Sequence, residues 1–472
     1  MFDIRYAGCV QDGEHFMFIN RKRGLTTTQI IAFGFLGTII VGALLLMLPV
    51  SSAEGMVTQW EDALFTATTS VCVTGLVTVS TWSHWSVFGQ TVITLLIQVG
   101  GLGIITFTTI VLFIMGKRIS LKERLLIQDA YNLDTLRGLV RLTLRIVKGT
   151  FFIEGIGALL YASVFIPHFG LVEGIGVSVF NSVSAFCNAG MDVIGDNSLA
   201  GYSGNLIVNF TTIGLIVLGG IGFPVWWNVI DVMRKHRSQY NGWRDAAHHL
   251  TLHTKVVLTV TAILIFAGML VILLLEYGNP ETLGNMKFGN KVMASLFQSV
   301  TTRTAGFFTI PQDGLRNATA LFCVILMFIG GSPSGTAGGI KTTTLGIILL
   351  AVYSAVKGRN ETEAYGRRVS ATLVKKAMAV LVLSFSVMIL SVMALSMVQS
   401  GDFIDILYES TSAIATVGLS RGLTMDLTVW GKLIIIITMY IGRIGPISLA
   451  LFFNSKKYVN VKSYPTENIG VG

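Results

Sequence analysis

Charge is what this 472-residue chain has least of. Charged residues make up 12% of it and hydrophobic residues 52%, whereas a soluble domain carries about 25% charged residues. The shortage excludes an ordinary soluble globule. Lys and Arg are missing altogether from Gly24 to Gly116 and from Gly149 to Met233. The net charge of +9 is therefore gathered into a few clusters, and this argues against a nucleic-acid partner. Cysteine is scarce as well. Cys9, Cys72, Cys187 and Cys323 show no metal or redox spacing, and Cys72 and Cys187 read as small packing residues. There is no His-Glu-x-x-His run and no pair of acids at helical spacing deep in one span. An intramembrane enzyme thus has no motif to rest on, and the chain is read as not an enzyme. The first apolar span follows a basic leader and lacks a clear small-residue cleavage site, so it is expected to be retained.

What is present fits a bilayer. Ile30–Val50 and Val256–Leu275 hold no charged residue, and each is long enough to cross about 30 Å of hydrocarbon. The basic residues gather at Arg21–Arg23, Lys117–Lys148, Arg234–Arg244, Lys357–Lys376 and Lys456–Lys462. By the positive-inside rule both termini and three linkers are expected in the cytoplasm of a multi-pass cell-membrane protein. The basic linkers orient the chain and meet anionic lipid; a docking surface for a cytosolic partner is their second reading. His236, His248, His249 and His253 read as part of a solvated segment.

Four glycine-bearing segments recur between the apolar spans: Val73-Thr74-Gly75, Asn188-Ala189-Gly190, Thr304-Ala305-Gly306 and Thr416-Val417-Gly418. Their glycines stand 115, 116 and 112 residues apart. The expected fold is an all-α membrane protein of four tandem helix, re-entrant pore loop and helix repeats around a pseudo-four-fold pore, with eight crossings and four short pore helices. The expected boundaries are a leader over 1–26, repeats over 27–116, 139–233, 255–357 and 375–455, and a tail over 456–472. The short helices are expected near Thr58–Val71, Glu173–Phe186, Asn290–Thr302 and Asp402–Ile414. Glu61, Asp62, Glu173, Asp402 and Asp405 near their starts suit the positive end of a helix dipole. Their negative ends then point inward and favour a cation.

A dehydrated monovalent cation needs oxygens in place of its water, and backbone carbonyls supply them without adding charge. Glycine tolerates the backbone angles that such a loop demands. Val73-Thr74-Gly75 and Thr416-Val417-Gly418 look most filter-like. Ordinary extracellular turns are the competing reading, which leaves the even spacing unexplained. Non-helical backbone at membrane depth survives only inside protein or beside water, so these segments should line an aqueous path.

The inner spans, over about 85–115, 204–233, 316–356 and 428–453, carry glycine runs of their own. At Gly100–Gly103, Gly219–Gly222 and Gly442–Gly445 close helix packing through small residues is the favoured reading. The third run, Gly330–Lys341, has five glycines and a proline within ten residues. A broken, mobile loop is expected over 330–341, with Gly330, Gly331, Gly335, Gly338, Gly339 and Lys341 as gate residues. Lys341 is expected to snorkel toward the cytoplasm. Arg443 is an intramembrane cation and a functional candidate by default. It either lowers ion occupancy below the filter or pairs with an acid such as Glu409, with a structural partner as the alternative. Arg303 should bond carbonyls behind the filter, and Glu154 and Asp231 are read as helix–helix polar contacts.

Taken together, the four loop segments, the 330–341 loop and the run Gly442-Arg443-Ile444-Gly445-Pro446 resemble the Trk/Ktr/HKT superfamily of potassium transporters, and within it the Ktr membrane subunits. The resemblance implies a potassium ion carried through a pseudo-four-fold filter, often in a sodium-dependent way, with channel-like and sodium-coupled movement both left open. It implies that Gly75, Gly190, Gly306 and Gly418 are the filter glycines, that 330–339 gates flow beneath them, and that Arg443 stands close to that gate. It also implies a homodimer seated on a cytosolic ring of nucleotide-binding regulatory subunits. Some plant relatives that admit sodium have serine at the first filter glycine; glycine at all four positions here implies potassium preference. The runner-up is a transporter of another small cation, such as ammonium or sodium.

Overall fold

A computed structural model of the chain describes residues 26–103, 106–107, 109, 139–239, 243–359 and 361–445. The expected leader apart from Thr26, the end of the first unit, most of the first basic linker, Pro446 and the tail lie outside the described residues.

Fifteen helices are described, and they are built in a recurring order. The first unit holds α1 (Thr27–Leu46), a short α2 (Trp60–Cys72) and α3 (Val87–Leu102). The second holds α4 (Leu139–Phe169), a short α5 (Leu171–Cys187), α6 (Leu206–Gly220) and α7 (Phe223–Gln239). A six-residue helix, α8 (Trp243–His248), leads into the third: α9 (Leu252–Glu276), a short α10 (Phe288–Thr301), α11 (Asn317–Phe328) and α12 (Thr342–Val356). The fourth holds α13 (Ala371–Val398), a short α14 (Phe403–Ala415) and α15 (Val429–Ile444).

Hydroxyls and amides start the long helices where the pattern turns apolar. Thr26 and Gln29 form a capping box on α1, with Thr26 N–H donating to Gln29 Oε1 at 2.9 Å. Asn205 caps α6, Thr251 caps α9 and Thr428 caps α15 through their side-chain oxygens. The helices α1, α4, α9 and α13 are long and apolar enough to cross a membrane; α6 and α7 make a fifth if their bent pair is one span. Their outer faces are apolar and exposed, as at Leu44, Leu159, Phe266 and Met397.

The inner spans depart from the expected continuous helices. The axes of α6 and α7 differ by 98° across a break at Ile221–Gly222. Likewise α3 stops at Gly103 and α15 at Gly445, where φ is +83° and +90°. A right-handed helix cannot continue through such angles, so the last glycine of each run breaks the helix. The first glycine of each run does the packing. A Cβ on Gly100, Gly219 or Gly442 would collide with the carbonyl oxygen of Val71, Phe186 or Ile414. The third inner span is non-helical between α11 and α12, as expected from its glycines. That loop is hydrogen-bonded along its length: Gly330 N–H donates to Ile340 O at 3.0 Å and Gly331 N–H to Gly338 O at 3.3 Å. The linker after α12 forms an unexpected antiparallel hairpin, Thr362–Ala364 on Arg367–Val369.

The units meet head to tail. The inner helix of each packs on the short helix of the next: α3 on α5, α6 on α10, α11 on α14, and α15 back on α2. The circuit is closed.

Candidate functional site

The short helices are buried along most of their length. Three of them end alike. Val73, Asn188 and Thr416 adopt the left-handed conformation, and the next residue's N–H reaches back five positions, from Thr74 to Thr69 O, Ala189 to Ser184 O and Val417 to Ser412 O, each at 2.8 Å. This is a Schellman closure, which satisfies carbonyls that a helix end leaves open. The helix α10 stops two residues earlier relative to its glycine, and Ala305 N–H bonds Thr301 O at 2.9 Å instead. Thr304 is nevertheless left-handed, two residues before its glycine, like its three counterparts.

The four loops converge. A Cβ on Gly190 would lie 2.6 Å from both Ala305 O and Gly306 Cα, and one on Gly306 would lie 2.7 Å from Val417 O. One on Gly418 would collide with Thr74 O, and one on Gly75 with Ala189 O. Each glycine thus abuts the loop of the next unit, and the fourth abuts the first. All four have φ between +67° and +102°, so both conformation and close approach require glycine. The ring floors a funnel of about 410 Å³ whose walls include Asp192, Asp196, Asp313 and Arg421.

Four hydroxyls on the short helices hold the ring from behind, and the sequence reading missed them. Thr69 Oγ1 accepts from Gly75 N–H at 2.9 Å, and Ser412 Oγ from Gly418 N–H at 3.0 Å. Ser184 Oγ donates to Met191 O and Thr301 Oγ1 to Phe307 O, both at 2.5 Å. The signal was a Ser or Thr five or six residues before each loop glycine. Thr74 Oγ1, Asn188 Nδ2, Thr304 Oγ1 and Thr416 Oγ1 are buried with no hydrogen-bond partner among the described residues. A ring of carbonyls and orphaned hydroxyl oxygens suits a small cation as cargo.

At the other ends of the short helices, acids in the first turn are partly paired. Lys432 Nζ donates to Asp62 Oδ1 and Arg421 Nε to Asp405 Oδ1, each at 2.6 Å. The third helix has Lys291 there, which donates to Tyr277 O at 2.8 Å.

The 330–341 loop lodges against the face of the ring away from the funnel. Thr336 Oγ1 donates to Asn188 Oδ1 at 2.9 Å, and a Cβ on Gly338 would meet Thr416 Oγ1. Gly335 lies against the carbonyls of Gly219 and Gly220, and Gly330 packs on Gly339. Lys341 does not snorkel outward. Its Nζ turns back to Ala337 O at 2.7 Å and Gly338 O at 3.4 Å, the second of which also accepts from Gly331 N–H. Arg443 does not pair with Glu409. Its Nη1 donates to Thr336 O at 2.7 Å and its Nη2 to Gly100 O at 2.5 Å, tying the loop to the end of α3. The Glu409 carboxylate instead accepts from the hydroxyls of Ser420, at 2.7 Å, and Thr424.

The remaining candidates lie apart. Arg303 reaches back to Thr261 on α9. Glu154 accepts from Gln98 Nε2 at 3.2 Å, a contact between α4 and α3. Asp231 is exposed on α7.

Residues 23–461 match the family described as TrkH, cation transport protein. The chain belongs to the TrkH family. It is 42% identical over 447 residues to Ktr system potassium uptake protein B of Bacillus subtilis (strain 168), covering 95% of this chain and 97% of that one. It is 40% identical to the potassium/sodium uptake protein NtpJ of Enterococcus hirae, covering 96% of this chain and 98% of that one. The structure of the TrkH potassium transporter from Vibrio parahaemolyticus superposes with a TM-score of 0.71 at 15% identity, over 92% of this chain and 86% of that one. That likeness shows a TrkH-like fold. As a TrkH-family member with several long apolar helices, the chain is a multi-pass membrane cation transporter.

Proposed function

We propose that this protein takes potassium into the cell through a filter of backbone carbonyls contributed by Thr74, Gly75, Ala189, Gly190, Ala305, Gly306, Val417, Gly418 and the residues before them. The carrying observation is the closed contact of Gly75, Gly190, Gly306 and Gly418. A left-handed residue two before each glycine, and a positive φ at the glycine itself, support loops whose carbonyls turn to a common axis. In this reading the outer and inner helices make eight crossings, the second and third inner ones broken, the short helices are re-entrant, and both termini are cytoplasmic. The 330–341 loop is the gate, and Arg443 and Lys341 latch it. The names of the two relatives support potassium as cargo, and that of NtpJ supports a role for sodium. The name "Ktr system" supports a multi-component assembly; we assign this chain to the membrane subunit, a homodimer on a cytosolic nucleotide-binding ring.

The test is ion flux into lipid vesicles with potassium, sodium and ammonium offered separately, potassium with and without sodium, for the native chain and Gly75→Ser. The expected result is potassium preference that Gly75→Ser weakens. Equal flux of all three ions through the native chain, or unchanged discrimination in the variant, refutes the carbonyl filter.

A further inference from the structure

Three residues before each ring glycine stand Cys72, Cys187, Arg303 and Ala415. Three are small and one is a full guanidinium. Arg303 is only 7% exposed, and it is poorly satisfied. Nη1 donates to Thr261 O at 3.5 Å and Nη2 to Thr261 Oγ1 at 3.4 Å, while Nε is buried with no partner among the described residues. Charge-assisted bonds normally run about 2.7–2.9 Å. A buried cation held this loosely is costly, and the cost calls for a return elsewhere.

Arg303 borders a cavity with room for about one water. Gly220, Ile221, Thr261 and Gly331 share its lining. Gly220 is the last residue of α6, so its carbonyl has no partner within the helix. The 330–341 loop supplies one: Ser332 N–H donates to Gly220 O at 2.8 Å, and Thr336 N–H to Gly219 O at 3.1 Å. In return Phe223 N–H, at the start of α7, donates to Ser334 O at 3.1 Å. The loop therefore caps both sides of the break between α6 and α7. If it withdraws, the Gly220 carbonyl loses its donor, and an unpaired buried carbonyl is unfavourable. That carbonyl is close to the cavity, since a Cβ on Gly331 would stand 3.0 Å from it. Arg303 lines the same cavity with donors to spare.

Resting on the reading of 330–341 as the gate, we infer that Arg303 is a positioning residue of the open state. Its guanidinium leaves Thr261 and takes over the Gly220 carbonyl as Ser332 departs, so that the broken helix is capped in both positions of the loop. Thr261 is the closed-state rest for the same group.

The test is potassium flux into vesicles carrying the full chain, with Arg303→Gln, Arg303→Lys and Thr261→Val, each with and without deletion of 331–338. Arg303→Gln is expected to lower the rate about fivefold or more, the loss of one charged donor to a buried carbonyl, with the potassium-to-sodium ratio unchanged. Arg303→Lys keeps the charge and retains most of the rate. Thr261→Val loosens the closed-state rest and raises the rate about two- to fivefold, a gain that misfolding cannot produce. In the loop-deleted background all variants converge. The inference is overturned if Arg303→Gln keeps its effect there or alters the ion ratio, or if Thr261→Val leaves the rate unchanged. If deleting 331–338 does not itself raise flux, the gate reading fails first, and the two failures are distinct.

Discussion

The hydroxyl of Thr69 offers the most direct probe of how the ring is held. It is fully buried and is the acceptor of the Gly75 N–H, at 2.9 Å. Thr69→Val keeps the shape of the side chain and removes the acceptor. The Gly75 N–H faces no water there, since Thr74 beside it and Thr69 behind it are both fully buried. Leaving such a donor unpaired costs about 1–3 kcal/mol. At about 1.4 kcal/mol per factor of ten, the ratio of ordered to misoriented loop falls about 5- to 150-fold. A misoriented loop presents its carbonyls elsewhere, so the loss should be read in selectivity before rate. Parallel tracer uptake of potassium and sodium into vesicles should show the sodium share rising about fivefold or more. Thr69→Ser, which restores the oxygen, should behave as the native chain does. Ser412→Ala is the twin experiment in the fourth unit, where the bond is 3.0 Å. Native selectivity in both Thr69→Val and Ser412→Ala would refute the reasoning.

Two further outcomes follow. Arg443→Gln removes the charged bonds to Thr336 O and Gly100 O, each worth about 1.5–3 kcal/mol; resting flux in the absence of a cytosolic partner should rise about tenfold or more, and an unchanged resting rate would show that Arg443 does not latch the loop. Asp192 lines the funnel, and burial pushes its carboxyl up to about 6: it is charged above that pH and neutral below, so lowering the outer pH from 7.5 to 5 should raise the potassium concentration needed for half-maximal uptake, with a midpoint near 6, and Asp192→Asn should flatten the curve.

Much of this arrangement is legible in the residues. The even spacing of Gly75, Gly190, Gly306 and Gly418 reports four loops because only a repeated unit returns a glycine at such intervals. Gly330–Gly339 reads as non-helical because five glycines and a proline outweigh any helical preference. The breaks at Gly103, Gly222 and Gly445 were hidden. Small residues serve close packing and chain reversal equally well, and here the two duties fall to the first and last glycine of one run. The supporting hydroxyls were hidden for another reason. A Ser or Thr on an apolar helix satisfies itself on its own backbone as readily as it reaches a neighbouring loop, and spacing alone does not separate the two. The partner of Arg443 was missed because charge suggested an acid. The carbonyls of Gly100, at the end of α3, and of Thr336, in the loop, are nearer to hand, and the Glu409 carboxylate is taken up by hydroxyls.

The return of α15 onto α2 means that one polypeptide makes every wall of the enclosure. In an assembly of four identical copies, any substitution is enforced four times and its energetic effect is multiplied accordingly. Here each quarter is free to drift alone. The third quarter differs by the hydrogen-bonded loop over 330–341, and the fourth by the Arg443 guanidinium that bonds it. A single codon change therefore alters one wall and leaves three standing, so selection can adjust permeation in quarter steps.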